Sequence, residues 1–258
     1  ESGDIVWTEE EPALDFAGGN YEVVIGDVST LSSSSLGQAW TIEAIVKVSA
    51  DDLDGSTHRV INHGDPSTND NFYMGFDNGN LDLYVDAVNG SVSPSVVSSV
   101  NAGKAYRFTV TYDGSTVTFY VDGTNVWSGS LTGDLSDSSA NWTIGGRNSE
   151  QFAHSIVSDV RFWGVVRTQT EINNTKWSRL SGTETGLIHY YKLDEGSGNT
   201  ATDSAGNTDA TLESGLENGW TFSDINVVPS TIISVDNETQ ITLDYEPVAS
   251  LWPFMNYT

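Results

Sequence analysis

The alternation of apolar and polar residues on either side of Asp113-Gly114 constrains this chain more than any other feature. From Tyr106 to Tyr112, the residues Tyr106, Phe108, Val110 and Tyr112 share one face of an extended strand, and Arg107, Thr109 and Thr111 share the other. Beyond the turn, Val117, Phe119 and Val121 alternate with Thr116, Thr118 and Tyr120, and Asp122-Gly123 follows. Period-two runs flanking a dipeptide that tolerates positive φ predict a β-hairpin.

The same period recurs along the chain. Trp40, Ile42, Ala44, Val46 and Val48 fall on one side of a strand. Shorter strands are predicted at 14–16, 21–25, 59–62, 72–76, 81–85, 142–145, 156–163, 187–193 and 220–222. Many short strands between turn residues predict an all-β, antiparallel jelly-roll β-sandwich. One short helix is expected: Thr168-Gln169-Thr170-Glu171 has the form of a capping box, Ile172, Thr175 and Arg179 follow at helical spacing, and Gly182 can stop it. From Asn226 the character changes: 227–235 and 239–245 are strand-like, and the chain runs on to an apolar end at Leu251-Trp252-Pro253-Phe254. The expected organisation is a sandwich over 1–225 and a strand-like C-terminal extension over 226–258, docking or donating a strand.

Composition limits function. With 37% hydrophobic residues in 258, the chain can bury one large sandwich core. Its 36 acidic and 10 basic residues give a formal charge of −26, which repels phosphate backbones and anionic lipid and attracts divalent cations. Nucleic acid is therefore not expected as a partner, and no apolar run reaches the length of a bilayer span. The absence of cysteine excludes disulfides, Cys-zinc sites and thiol catalysis, and suits a microbial or viral exterior. Glu1, with no initiator Met, is read as a processed N-terminus, so the expected location is extracellular, on a cell or virion surface. Asn-x-Ser/Thr sequons at Asn89, Asn141, Asn173, Asn237 and Asn256 are about as many as chance supplies and carry no weight.

Several stretches resemble the laminin-G-like jelly-roll family of the concanavalin-A-like lectin/glucanase superfamily. They are the opening Ala13-Leu14-Asp15-Phe16-Ala17-Gly18-Gly19-Asn20-Tyr21, the strand Trp40-Thr41-Ile42-Glu43-Ala44, the hairpin RFTVTYDGSTVTFYVDGTNV from Arg107, SDVRFWGVVRTQTEI from Ser158, and GLIHYYKLDEGSGNTATDSAGNTDATL from Gly186. The resemblance covers roughly residues 13–222 and implies the sandwich fold; the fold alone does not fix a function. It also implies a calcium ion at the sandwich edge, held by Asp15 and Asp159 with carbonyls near Gly18. The chain departs from the family pattern at Ala17 and Ser158, where acids are common.

No catalytic signature is present. The E-x-D-x-x-E strand of the superfamily's glucanases is missing, Asp159 is the only carboxylate between Ser155 and Trp163, and the four histidines show no ligand spacing with acidic partners. The chain is therefore expected to be no enzyme, with no catalytic residues and no organic cofactor. Asp203, in the Asp203–Asp209 segment, is read as a turn cap. Trp40, Trp142 and Trp163 are read as core, while Tyr73, Tyr84 and Trp127 near strand ends are candidate glycan platforms. The leading functional expectation is a structural subunit of a filament, sheath or fibre. It would assemble with copies of itself by strand addition through its termini, with Ile5, Trp7, Leu251, Trp252 and Phe254 as contacts. The alternative is a calcium-dependent carbohydrate-binding, lectin-like or adhesin module.

Overall fold

The structure is a computed structural model that describes residues 11–17, 19–64, 70–96, 100–136, 139–147, 149–223, 232–237 and 240–243. Residues Glu10–Asn226 form one compact unit. Of the second unit, the described part is a two-stranded antiparallel hairpin, Ile232–Asn237 with Gln240–Leu243. The assembly candidates Ile5, Trp7, Leu251, Trp252 and Phe254, and the calcium candidate Gly18, lie outside the described residues.

The large unit is two antiparallel sheets face to face, the jelly-roll sandwich the sequence predicts. The strands are β1 (Glu11–Asp15), β2 (Val23–Gly26), β3 (Trp40–Lys47), β4 (His58–His63), β5 (Phe72–Asp77), β6 (Asn80–Ala87), β7 (Gly90–Val92), β8 (Ser95–Val96) and β9 (Ala105–Tyr112). After them come β10 (Thr116–Val121), β11 (Thr124–Ser130), β12 (Trp142–Ile144), β13 (Ile156–Trp163), β14 (Leu187–Tyr191), β15 (Thr200–Ala201), β16 (Ala210–Leu212) and β17 (Trp220–Ser223). One sheet runs β11-β10-β9-β3-β13-β1-β17, with β14 also pairing β13. The other runs β15-β16-β2-β12-β4-β5-β6-β7, with β8 on β6.

The predicted inward faces meet in the core. Trp40, Phe72, Phe76, Phe108, Val110, Phe119 and Phe162 are fully buried, and Trp40 meets Phe72 edge-on at 5.8 Å between ring centroids. The first sheet differs from a simple alternating sheet in that its outer face is buried as well: Glu43, Arg107, Thr109 and Arg161 have no exposure. The chain leaving β13 covers that face. Arg107 Nε donates to the Lys176 carbonyl (2.9 Å) and Arg161 Nη1 to that of Thr175 (3.1 Å).

The same stretch carries the helix. It begins as predicted, with Thr168 Oγ1 accepting the Glu171 N–H (3.3 Å) and Glu171 Oε2 accepting the Thr168 N–H (2.7 Å). It spans Gln169–Thr175, short of Gly182; the Ser178 N–H then closes a tighter turn on the Thr175 carbonyl at 3.2 Å, and the Thr175 and Lys176 carbonyls also accept from buried guanidinium groups. The polar strand β11, the two-residue strands and a single helical turn at Ser33–Leu36 had no apolar period to announce them. Among the described residues no helix is long and apolar enough to cross a membrane.

Candidate functional site

Asp159 does not sit at an open edge. A register shift between Ser158 and Arg161 interrupts the pairing of β13 with β3, and Asp159 takes a left-handed conformation there, φ 53°. Its carboxylate turns into the buried layer: Oδ1 meets Arg107 Nη2 at 2.5 Å and Arg161 Nη2 at 2.6 Å, and Oδ2 accepts the Tyr190 hydroxyl at 2.6 Å. Arg179 stands 3.8 Å away. Burial opposes the charge, but Arg161, Arg107 and Arg179 outweigh it and draw the Asp159 pKa down to about 2. A calcium ion needs several uncommitted oxygens. Here three guanidinium groups supply the positive charge, so these residues do not fit the ion. Asp15 lies elsewhere in the sheet, one oxygen accepting the Ala17 N–H at 2.8 Å, and no cluster of potential ligands joins it to Asp159 among the described residues.

Asp52, His58 and His154 do come together, with ligand atoms within 4.8 Å of one another. His58 Nδ1 bonds the Phe152 carbonyl (2.7 Å) and Nε2 faces Asp54 (3.1 Å), so acceptors confront both ring nitrogens and favour a proton on each. A metal needs a bare nitrogen. Asp52 is occupied too, accepting the His154 N–H at 2.7 Å and the Ser155 hydroxyl. The group ties the Asp51–Leu53 turn to β4 and to the strand approach at Ser155, and His58 and Asp52 are committed to protein partners.

The depressed carboxylates give a first prediction. Asp203 is also held at about 2: burial is overcome by bonds from His189 and from the N–H groups of Tyr190, Thr208 and Ala205. Stability from such groups is complete above their unfolded value of 3.8 and is lost as pH falls through the folded one. Asp52, Asp70, Asp82 and Glu195, raised by burial, act in the opposite sense. Urea unfolding from pH 5 to pH 2 should show stability falling mainly below about pH 4, by roughly 2 kcal/mol for each depressed group. A flat profile across that range would refute it.

The predicted glycan platforms are mostly occupied. The Arg59 guanidinium lies 3.2 Å from the Tyr73 ring centroid and Tyr84 stacks on Tyr73 at 5.5 Å, so Tyr73 is buried between them. Trp127 is half-buried and lies over Gly129, where an added Cβ would stand 2.4 Å from the indole.

An open cleft of about 360 Å³ lies where β1 ends and β17 begins, lined by Asp15, Tyr21, Leu216, Asn218, Trp220 and Thr221. Its walls depend on close backbone approach. Asp15 N–H donates to the Gly219 carbonyl at 2.8 Å, and a Cβ on Gly219 would fall 2.4 Å from the Asp15 carbonyl oxygen. Gly19 and Gly215 back the Tyr21 ring, with added Cβ atoms 2.5 and 2.7 Å from it. Buried Leu216 anchors the turn Leu216–Asn218, and the Trp220 indole N–H donates to the Gly198 carbonyl at 2.9 Å. Phe222, two residues along the same edge strand and so on the same face, is 66% exposed. The cleft lining thus brings two aromatic residues together with Asp15, Asn218 and Thr221 in one open concavity. Sequence reasoning missed it: Tyr21 stood within the family-like opening and Trp220 at a predicted strand start, but about 200 residues separate them.

Comparison with known proteins identifies the fold. A family model described as the concanavalin A-like lectin/glucanases superfamily matches residues 18–173. No curated protein shows a significant sequence match. Among solved structures, an inferred carbohydrate-binding protein from Bacteroides ovatus superposes with TM-score 0.63 at 20% identity, over 83% of this chain and 60% of its own. A native heptameric SAP-like pentraxin from Limulus polyphemus gives 0.52 at 12% identity, over 86% of this chain and 99% of its own. The binding domain of paraclostridial mosquitocidal protein 1 gives 0.52 at 13%, over 94% and 67%. The chain thus spans about three fifths of the Bacteroides protein's length. At these identities the likeness is one of fold.

Proposed function

The chain belongs to the concanavalin A-like lectin/glucanases superfamily, and on that premise we propose that it is a non-catalytic, extracellular carbohydrate-binding module whose sugar lies in the cleft between Tyr21 and Trp220. The observation that carries this reading is the convergence of those two rings with Asp15, Asn218 and Thr221 in one open cleft. Sugar C–H faces stack on aromatic rings, while the hydroxyls need acceptors and donors at the rim. Asp15 and the net charge of −26 disfavour sulfated or uronic sugars, so the ligand is a neutral or amine-bearing saccharide. Glycoside hydrolysis in its usual form takes two carboxylates flanking the bond, and among the described residues Asp15 is the only carboxylate of the cleft lining. Calcium has no part in this reading. The assembly alternative rests on terminal residues outside the described ones, and no described feature favours it.

A glycan array followed by calorimetry tests the proposal. Wild-type protein is expected to bind a neutral or amine-bearing saccharide, and Trp220→Ala, still folded by circular dichroism, to bind it about 10- to 100-fold more weakly. Binding that is unchanged in Trp220→Ala, or an array without a neutral or amine-bearing ligand, sinks the cleft assignment.

A further inference from the structure

Outside the cleft lining, three side chains distant in sequence meet in a line. Thr30, in the turn Ser29–Leu31, places Oγ1 2.7 Å from Nε2 of His189 on β14. Nδ1 of the same ring lies 2.7 Å from Oδ2 of Asp203. Asp203 is fixed from several sides: Oδ1 accepts the N–H groups of Tyr190 (2.8 Å) and Ala205 (2.9 Å), and Oδ2 those of Asn207 and Thr208 (3.1 Å each). An ionised carboxylate only accepts, so Nδ1 carries the ring proton. In the neutral imidazole Nε2 is then bare, and Thr30 must be the donor. The ring cannot swing away. His189 is fully buried, stacked parallel to Tyr191 at 6.0 Å and against the edge of Phe162 at 6.3 Å. Thr30 is only half-buried. The relay thus runs from a fully buried imidazole to a threonine that is part-exposed as a residue.

A buried histidine satisfied at both nitrogens needs no further role. What singles this one out is the order of its partners: carboxylate, imidazole, then the hydroxyl of a half-buried threonine, each within reach for proton transfer. We propose that Thr30, His189 and Asp203 form a nucleophile–base–orienting relay, and that Thr30 is a covalent acyl-acceptor site for an activated carboxylic ester. Oγ1 attacks the ester carbonyl carbon as its proton passes to Nε2. Collapse of the tetrahedral adduct breaks the bond to the leaving oxygen, which takes the proton from Nε2. The products are one Thr30 ester and one alcohol, with no change of oxidation state. Asp203 stabilises the transient imidazolium without itself being protonated. The expected event is one acylation per chain, since the β-branched threonyl ester is hindered towards water, and it does not depend on the glycan reading.

The test uses the full chain with p-nitrophenyl acetate and, separately, with a fluorophosphonate probe. In the probe reaction the Oγ1–P bond forms, the P–F bond breaks, fluoride leaves and the proton goes to His189. Intact mass and peptide mapping are expected to find one adduct per chain, on Thr30. Thr30→Ser should retain it and Thr30→Val, which keeps the shape, should lose it. His189→Gln should slow it at least about 100-fold, the usual contribution of a general base. No adduct on Thr30 in folded wild type overturns the relay. So does equal labelling in His189→Gln that keeps its native spectrum. If His189→Gln does not fold, the Ser and Val variants decide: labelling elsewhere that persists in Thr30→Val counts against the proposal, and labelling confined to the Thr and Ser forms supports it.

Discussion

Replacing Asp159 by asparagine is expected to destabilise the native protein by about 3–5 kcal/mol, the usual consequence of removing one partner from a buried ion pair. Asparagine tolerates the left-handed backbone at this position, φ 53°, so the substitution isolates the charge from the bulge geometry. What it leaves behind is costly. Arg107 and Arg161 have no exposure and would face each other without the carboxylate that Oδ1 now presents at 2.5 and 2.6 Å. Glu43 remains near Arg161, at 3.3 Å, and compensates only in part. Asp159→Ala adds backbone strain and should be worse. Chemical denaturation at pH 7 measures both, and the difference between wild type and Asp159→Asn should shrink towards pH 2 as the wild-type carboxyl protonates. A loss below about 1 kcal/mol would mean that the arginines are solvated or paired elsewhere, and the layer between β13 and the helix would need redrawing.

This network marks the limit of what the sequence reveals. The hairpin around Asp113-Gly114 was legible because its determinants are local: a turn dipeptide and two alternating runs whose inward members are buried together. The helix start was legible for the same reason. The resemblance assigned Asp159 to a calcium edge, and the plain strand read over 156–163 did not announce the bulge that turns its carboxylate inward. The chain itself held a signal, since the core residues Val157, Val160 and Phe162 are spaced three and then two apart. Period two allows that only if an extra residue bulges, and the bulge sends Asp159 towards the arginines. Tyr73 lost its role as a platform to Arg59, 14 positions earlier on the neighbouring strand, a cross-strand pairing that composition does not show. The cleft and the Thr30–His189–Asp203 line are both non-local, closed by pairings such as β1 with β17, so no motif could have announced them.

Trp142→Ala should cost about 3–5 kcal/mol, as large aromatic truncations in packed cores do, whereas Trp220→Ala should leave stability within about 1 kcal/mol of wild type. Trp142 belongs to β12, a strand of three residues that joins β2 to β4 at the middle of the second sheet. Its indole stacks on His63 at 4.6 Å with planes 5° apart, meets Phe162 edge-on at 5.4 Å and lies 5.7 Å from Phe72, so it bridges the two sheets. Removing it leaves a void lined by rings that backbone pairing on both sides keeps from collapsing. Trp142→Phe should recover part of the loss by refilling some of that volume. Trp220 stands on an edge strand, is only partly buried against the core and lines the open cleft, so its removal costs less packing than that of Trp142. Denaturant unfolding of both variants, set beside saccharide binding, separates the two classes of tryptophan. A stable Trp142→Ala would place the sandwich's centre of packing elsewhere, and a strongly destabilised Trp220→Ala would make that indole part of the core instead of a platform for sugar.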